Sequence, residues 1–565
     1  MVLGFRRSSA KRSRDFLEYG ADPHLWILIY DVSQASKVET AGSCDASIRS
    51  SWDKEYTVLP QIRLEPILHA RTKELNPDGV VNGAQVVGIE EGEDSVRVRV
   101  RYRSSPDTNN SNSNHGDYDG SGSGGRIETI SAQYVVGADG GRMVAETLGI
   151  PLSGDRDIGD MVSAHICAPI SLHHPDPRVF ITGFIDPSRG GSIGTWYHYH
   201  VGPYNPINPG TEESMFACAR NPDDPHKFGE EDIATDSGDV EDSRVADRVV
   251  ECHWYVNAVV AEGFRSRGGS GRVFLAGDAA HRIPPWGALG LNTWLQDVQN
   301  LVWKLAMAVK AGSTPEKQKQ YDALLDTYEE ERRPIALRVT HASLSNLRNR
   351  ALVMDRALRI YPDAPPENIK FLAAFLDKTE PKGNQLRGRQ SWIPSSMLQA
   401  QRSAGSIPVL MWDGEGARSR HDGQLKEDGG LDITAYHPST LPGHHLPHLW
   451  LQKGERRVST RDLLMKDKCV LFAATEEPWR KLSSHLVHVE IINSEKGNWG
   501  DVDGKWNELY DVSSNGAVLV RPDGIVIWRS KEQIAPLRRA LEQFRYPSQA
   551  ASEVALSNEN RPFQY

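Results

Sequence analysis

Apolar and polar positions divide the chain into alternating β-rich and helical stretches. Ile62, Leu64, Ile67 and Leu68 recur near helical spacing and predict an amphipathic helix over Gln61 to Lys73. Val80 to Glu90 and Asp94 to Tyr102 read as strands. In the second, Val96, Val98 and Val100 alternate with Arg97, Arg99 and Arg101, the period of a half-buried strand. Strand character resumes over Ile127 to Val136. The intervening Ser104 to Gly125 is almost wholly Ser, Asn, Asp and Gly, a low-complexity loop within a hairpin. Strand-like pieces follow at Met161 to Ala168, Val179 to Phe184 and Ser192 to His200, and the polar stretch Asn221 to Asp242 breaks them up. A buried strand, Arg272 to Ala276, leads through a Gly/Pro-rich turn into helices over Thr293 to Ala311 and Pro315 to His341. Residues 350 to 405 read as helical and loop-like connections. From Ser406 the pattern is β-rich again, with strands at Val470 to Ala473, Val487 to Ile492 and Ala517 to Trp528, and a closing helix over Lys531 to Phe544.

Composition narrows the class. The 565 residues suffice for two to four domains, and 39% hydrophobic with 25% charged residues is ordinary for a globular chain. The net charge of -10 is spread along the sequence, with no basic block for nucleic acid or for a lipid surface. Apolar runs such as Leu25 to Tyr30 are too short to span a bilayer. The basic N-terminus has no apolar stretch behind it, so a cytoplasmic location is expected. The cysteines at 44, 167, 218, 252 and 469 are odd in number and form no CxxC, which argues against a disulfide framework or a structural zinc site.

Candidate chemistry concentrates at two strand ends. In Gly271-Arg-Val-Phe-Leu-Ala-Gly-Asp-Ala-Ala-His281, an apolar strand ends at Gly277 and leaves Asp278 at its carboxyl end. Ligands of open α/β sheets bind at such ends, and a carboxylate there can accept hydrogen bonds from sugar-like hydroxyls. The Gly/Pro-rich turn is followed by a helix starting near Asn292 or Thr293, with Thr293 and Gln296 spaced as a capping box. Its positive end favours negative charge over Gly290 to Asn292. A second strand, in Tyr134-Val-Val-Gly-Ala-Asp-Gly-Gly-Arg142, ends the same way at Asp139 and Gly140. Gly120, Gly122 and Gly125 spell GxGxxG, but no buried strand precedes them and no helix follows, so they read as linker.

These segments resemble the GD and DG motifs of the class A flavoprotein monooxygenases, the phenol and p-hydroxybenzoate hydroxylases. The resemblance implies that Asp278 binds the FAD ribityl chain and that Gly290, Leu291 and Asn292 face the N1/O2 edge of the ring. It also implies that Asp139 and Gly140 serve FAD and NAD(P)H use, and that Gln61, in Leu59-Pro-Gln-Ile-Arg-Leu-Glu-Pro-Ile-Leu68, contacts the flavin. Ala288 and Trp294 stand where the family usually has Gly, Met143 where it has Ser, and Glu146 where it has Arg. Tyr328-Glu-Glu-Glu-Arg-Arg-Pro334 also matches the family and reads as structural, a charged helix end stopped by Pro. Ser459-Thr-Arg-Asp-Leu463 and Gly516 to Trp528, with a Pro522-Asp-Gly turn, resemble the thioredoxin-like domain of phenol hydroxylases, suited here to packing or dimerisation.

The implied fold is α/β. An incomplete Rossmann-like FAD-binding domain, 1–150 and 268–350, holds an inserted β-rich substrate domain, 151–267. Connections over 351–405, a thioredoxin-like domain over 406–548 and a tail over 549–565 complete it. The family's opening strand, GxGxxG turn and helix, which seat the FAD pyrophosphate, have no counterpart, because Lys11 to Gly20 already resembles the helix after that unit. Either the chain lacks that unit or the sequence is truncated. The implied activity is FAD-dependent oxygenation of a phenol- or polyketide-like aromatic small molecule with NAD(P)H and O2. A flavin-free cyclase or isomerase and a non-catalytic interaction protein are the alternatives.

Overall fold

The structure, a computed structural model, describes residues 2–4, 26–30, 61–102, 126–167, 181–186, 191–199, 213–220, 248–311, 315–354, 361, 363–376, 438–484, 486–493 and 498–530. The segment Lys11 to Gly20, the 104–125 loop, the polar stretch 221–242 and the closing helix expected over 531–544 lie outside the described residues.

Alternating Val and Arg build the central strand, Val96–Tyr102, of an antiparallel meander with Ala84–Glu91 and Ile127–Ala132. Val96 and Val100 are buried while Arg97 and Arg99 are exposed, as the period predicts. Pairing of Arg101 with Ile127 makes the intervening stretch a hairpin connection. The strand expected over Ile127 to Val136 is instead two. Ile127–Ala132 stays in the meander, whereas β1 (Val135–Gly137) pairs parallel with β2 (Val273–Leu275). The switch has a local cause. The buried Arg272 guanidinium donates to the Gln133 carbonyl at 3.1 Å, and the Val135 amide donates to the Arg272 carbonyl at 3.0 Å.

Leu152–Cys167, Ile181–Asp186 and Gly191–Tyr199, three expected strands, belong to an eight-stranded sheet. Sequence pattern missed five of its members: the short Val2–Gly4, Trp26–Tyr30 and His281–Arg282, and two longer strands, Glu213–Arg220 and the 14-residue Arg248–Ala261. The longer one pairs along its length with Leu152–Cys167, and a register shift between Val256 and Ala258 absorbs Asn257. Apolar Val250, Cys252, Trp254, Val256 and Ala258 alternate with Glu251, His253, Tyr255 and Asn257, so the period of a half-buried strand is present in its sequence.

Two helices follow β2, α1 (Gly290–Ala311) and α2 (Pro315–Met354). The pattern placed the end of α2 at His341 and read Pro334 as a stop, but the helix runs through Pro334 for another 20 residues to Met354. Proline removes one amide donor and crowds the carbonyl four residues back, at a cost of about 3 kcal/mol. Beyond it, buried Ile335, Ala336 and Val339 pack into the interior, and Ser343 donates to the Pro284 and Trp286 carbonyls at 2.9 and 2.7 Å. That packing outweighs the break.

The C-terminal unit holds a four-stranded sheet of β3 (Cys469–Ala473), β4 (Val487–Ile491), β5 (Ala517–Val520) and β6 (Val526–Ser530), in the order β4-β3-β5-β6. β3 and β4 are parallel, and the other two pairings are antiparallel. Trp303 and Met307 of α1 and Leu324 of α2 share one core with Leu471, Trp479 and Trp528 of this unit. A buried charge network seals the junction at the Pro522-Asp-Gly turn. Arg521 meets Glu331 of α2 through two hydrogen bonds, at 2.6 and 2.9 Å, and Asp523 at 2.7 Å. Asn300 of α1 donates to Glu331 at 2.6 Å, and Lys304 reaches the same carboxylate at 3.2 Å. Burial pushes the Glu331 carboxyl up, but Arg521 and Lys304 outweigh it and hold the group well below the usual carboxylate range. Burial draws the Lys304 ammonium down to about 8 against the pull of Glu331.

Arg521→Met is expected to lower the unfolding free energy by about 3–5 kcal/mol in denaturant titrations, because Glu331 and Asp523 then lose their buried partner. Glu331 contributes stability above the ordinary carboxylate pKa, and that contribution is lost as pH falls through this range toward its depressed folded value. Glu331→Gln should therefore flatten the acid limb of the stability profile.

Candidate active site

β2 buries Val273, Phe274 and Leu275 completely, which fixes where its carboxyl end emerges. The Leu275 carbonyl accepts from the buried Tyr328 hydroxyl at 2.8 Å, so the YEEERRP segment braces the strand end. Gly277 then turns the chain at φ 62, and Gly277–Ala279 makes one short helical turn before His281–Arg282 joins the large sheet. A Cβ at Gly277 would come within 2.4 Å of the Trp294 ring, so the half-buried indole lies directly against this glycine. Trp294 thus packs beneath the turn. Asp278 is the one exposed residue between Arg272 and His281, and among the described residues its carboxylate has no hydrogen-bond partner.

The parallel pairing sets the end of β1 beside the end of β2. The Asp139 carboxylate there accepts three backbone amides, from Gly141 at 3.1 Å, Met143 at 2.7 Å and Val144 at 2.9 Å. Burial raises its pKa, but the Val144, Met143 and Gly141 amides prevail and hold it below the usual value. Asp139 therefore organises its own turn and the short helix Val144–Thr147. Arg282 staples the two strand ends by donating to the Gly140 and Gly141 carbonyls at 3.0 and 2.9 Å. A side chain at Gly141 would strike that guanidinium and the Asp278 carbonyl, at 2.8 and 3.2 Å. Sequence reasoning passed over Arg282. Its signal is position, since a cation directly after the turn can reach the facing strand end.

α1 begins at Gly290, earlier than expected, and the capping box between Thr293 and Gln296 is not formed. The Thr293 hydroxyl bonds back to the Leu289 carbonyl at 2.8 Å, and Gln296 accepts from Arg332 at 3.5 Å. Gly290, Leu291 and Asn292 are therefore the first helical turn, whose amides have no intrahelical acceptor. A Cβ placed on Gly290 meets nothing within 4 Å. Just before it, Ala288 adopts φ 55, a left-handed conformation costing an L-residue about 1–2 kcal/mol. This accounts physically for glycine at that position in the resembling family.

The structure brings Asp278, Asp139 and Gly140 together, while Gly290 to Asn292 head the next helix. Gln61 is not joined to them among the described residues. It opens an exposed helix, Gln61–Leu75, and its amide donates to Glu65 at 2.6 Å. Ile67 and Leu68 of that helix are exposed, so its apolar face is not the buried stripe that the spacing predicted. His281 is buried and pairs with Asp297 of α1 at 2.6 Å. A strand-end carboxylate that can accept from hydroxyls and a helix start whose amides can donate fit the polyol chain and the electron-rich edge of a flavin.

Comparison with known proteins bears on the family and the cofactor. Residues 30–343, more than half of the chain, match the FAD binding domain family, and residues 439–545 match the C-terminal domain of aromatic-ring hydroxylases. The chain belongs to the FAD binding domain family. It is 28% identical to 2,4-dichlorophenol 6-monooxygenase of Delftia acidovorans over 71% of this chain and 67% of that protein. It is 29% identical to tetracenomycin A2 monooxygenase-dioxygenase of Streptomyces glaucescens over 74% of this chain and 67% of that one. It thus spans about two thirds of the length of these relatives. The crystal structure of the flavin-dependent monooxygenase PieE, in complex with FAD and substrate, superposes with a TM-score of 0.66 at 25% identity, covering 90% of this chain and 82% of PieE.

Asp278→Ala is expected to weaken FAD binding by about 1–3 kcal/mol, the cost of leaving hydroxyl partners unpaired. Flavin fluorescence titration measures it, and an unchanged affinity would mean that this carboxylate does not touch the cofactor.

Proposed function

We propose that this chain is an FAD-dependent monooxygenase that uses NAD(P)H and O2 to oxygenate an aromatic, phenol- or polyketide-like small molecule. One observation carries the proposal: two strand ends lie side by side, one bearing the exposed Asp278, whose carboxylate has no partner among the described residues, with a helix start next in the chain. Asp278 accepts hydrogen bonds from ribityl hydroxyls. The amides of Gly290, Leu291 and Asn292 lie toward the N1/O2 edge, where the positive helix end favours the negative charge of the reduced ring. Asp139 and Gly140 act through the shape of their turn, with the Asp139 carboxylate committed to backbone amides. Gln61 contacts the flavin only by giving up Glu65. Bound FAD supplies the electron transfer and oxygen chemistry, and the protein binds, orients and excludes water. The names of the monooxygenase relatives support the aromatic substrate class.

The 151–267 segment serves as the substrate domain within the two parts of the FAD domain. The C-terminal unit is thioredoxin-like, which its strand order and its one parallel pair support. Without a CxxC it does no dithiol chemistry and serves packing or homodimer formation. Among the described residues Cys218 is a buried thiol outside any disulfide, in keeping with a cytoplasmic setting. No described helix is long and apolar enough to cross a membrane.

NADPH oxidation by the FAD-loaded protein is expected to accelerate when a phenolic compound is added, with an oxygenated product detectable by mass spectrometry. A chain that stays colourless with excess FAD and consumes no NADPH instead supports the flavin-free alternative.

A further inference from the structure

The turn bearing Asp278 and the helix start bearing Gly290 to Asn292 are separate elements, and one buried carboxylate ties them together. Asp297 of α1 is completely enclosed. Its Oδ2 meets Nε2 of His281 at 2.6 Å, and its Oδ1 accepts from Nε of Arg332 at 2.7 Å. Arg332, on α2, also donates to the Thr293 carbonyl in the opening turns of α1 at 3.3 Å. His281 is only 1% exposed and Arg332 4%. The other ring nitrogen of His281 has no partner among the described residues, so Asp297 is the polar anchor of that ring there. A neutral imidazole in this position carries its proton on Nε2 and donates it to Asp297. His281 stands three residues after Asp278, so any shift of its ring is passed to that carboxylate through a short, buried stretch of chain. Paired buried charges are directional, and losing one partner strands the other.

We propose that Asp297, acting through His281 and Arg332, is the positioning residue of the flavin cradle. It sets the spacing between the Asp278 carboxylate and the first-turn amides of α1, and so governs how tightly flavin is held and how strongly its reduced, negative form is favoured. The proposal rests on the site being a flavin cradle. Nothing in it requires Asp297 to touch the cofactor.

The test compares Asp297→Asn with Asp326→Asn. The latter breaks another ion pair, Arg265–Asp326, at the amino end of β2, where Arg265 also donates to the Gly271 carbonyl. Three quantities are measured on the full-length chain: the FAD dissociation constant, the midpoint reduction potential of the bound flavin and the thermal midpoint. Asp297→Asn is expected to raise the FAD dissociation constant roughly tenfold or more, as for a misplacement of an ångström or less, and to shift the potential. Asp326→Asn should lower the thermal midpoint with the dissociation constant and potential unchanged. His281→Gln, which keeps a donor, should lie nearer the wild type than His281→Leu, and this pair decides the matter if Asp297→Asn does not fold. An Asp297→Asn protein with wild-type affinity and potential overturns the proposal, as do indistinguishable His281 variants. Failure of the unaltered chain to bind FAD would overturn the cradle itself and is seen before any variant is made.

Discussion

Everything at this site follows from the parallel pairing of Val135–Gly137 with Val273–Leu275. Parallel neighbours need a long crossover, and here the crossover contains most of an eight-stranded sheet. Both strands point the same way, so both carboxyl ends open on one side, where α/β proteins place their ligands. Two three-residue strands are a small base for such a site. The pairing holds because β2 is fully buried, Arg272 pins the start of both strands and Tyr328 caps the Leu275 carbonyl.

The second constraint is charge in a dry interior. Glu331 and Asp297 lie on neighbouring helices and face different partners. Glu331 ties α1 and α2 to the C-terminal unit through Arg521, and Asp297 ties them to the turn through His281. The helix that opens at Gly290 is thereby fixed near its amino end and, further along, against the distal unit. This gives the C-terminal unit a physical connection to the site without placing any of its residues there.

Much of this was legible in the chain, for reasons that differ by element. The Val/Arg alternation at 96–101 is a one-dimensional pattern and survives folding unchanged. The strand–turn–helix around Asp278 was readable because Gly277 and the prolines that follow it are local signals. The fate of Asp139 was not legible, since three amides close on its carboxylate only once the turn has formed. Nor was the run of α2 through Pro334, where tertiary packing of Ile335, Ala336 and Val339 overrides a local breaker. Gln61 shows the opposite limit. Helical spacing correctly predicted its helix but said nothing about what the helix packs against, and its Ile67 and Leu68 are exposed.

Amide hydrogen exchange with and without FAD tests most directly that both strand ends and the helix start grip one ligand. Slower exchange on adding FAD is expected together in 139–144, 277–282 and 290–293. Saturating FAD that leaves exchange unchanged in all three segments, or protects only one of them, would contradict the account.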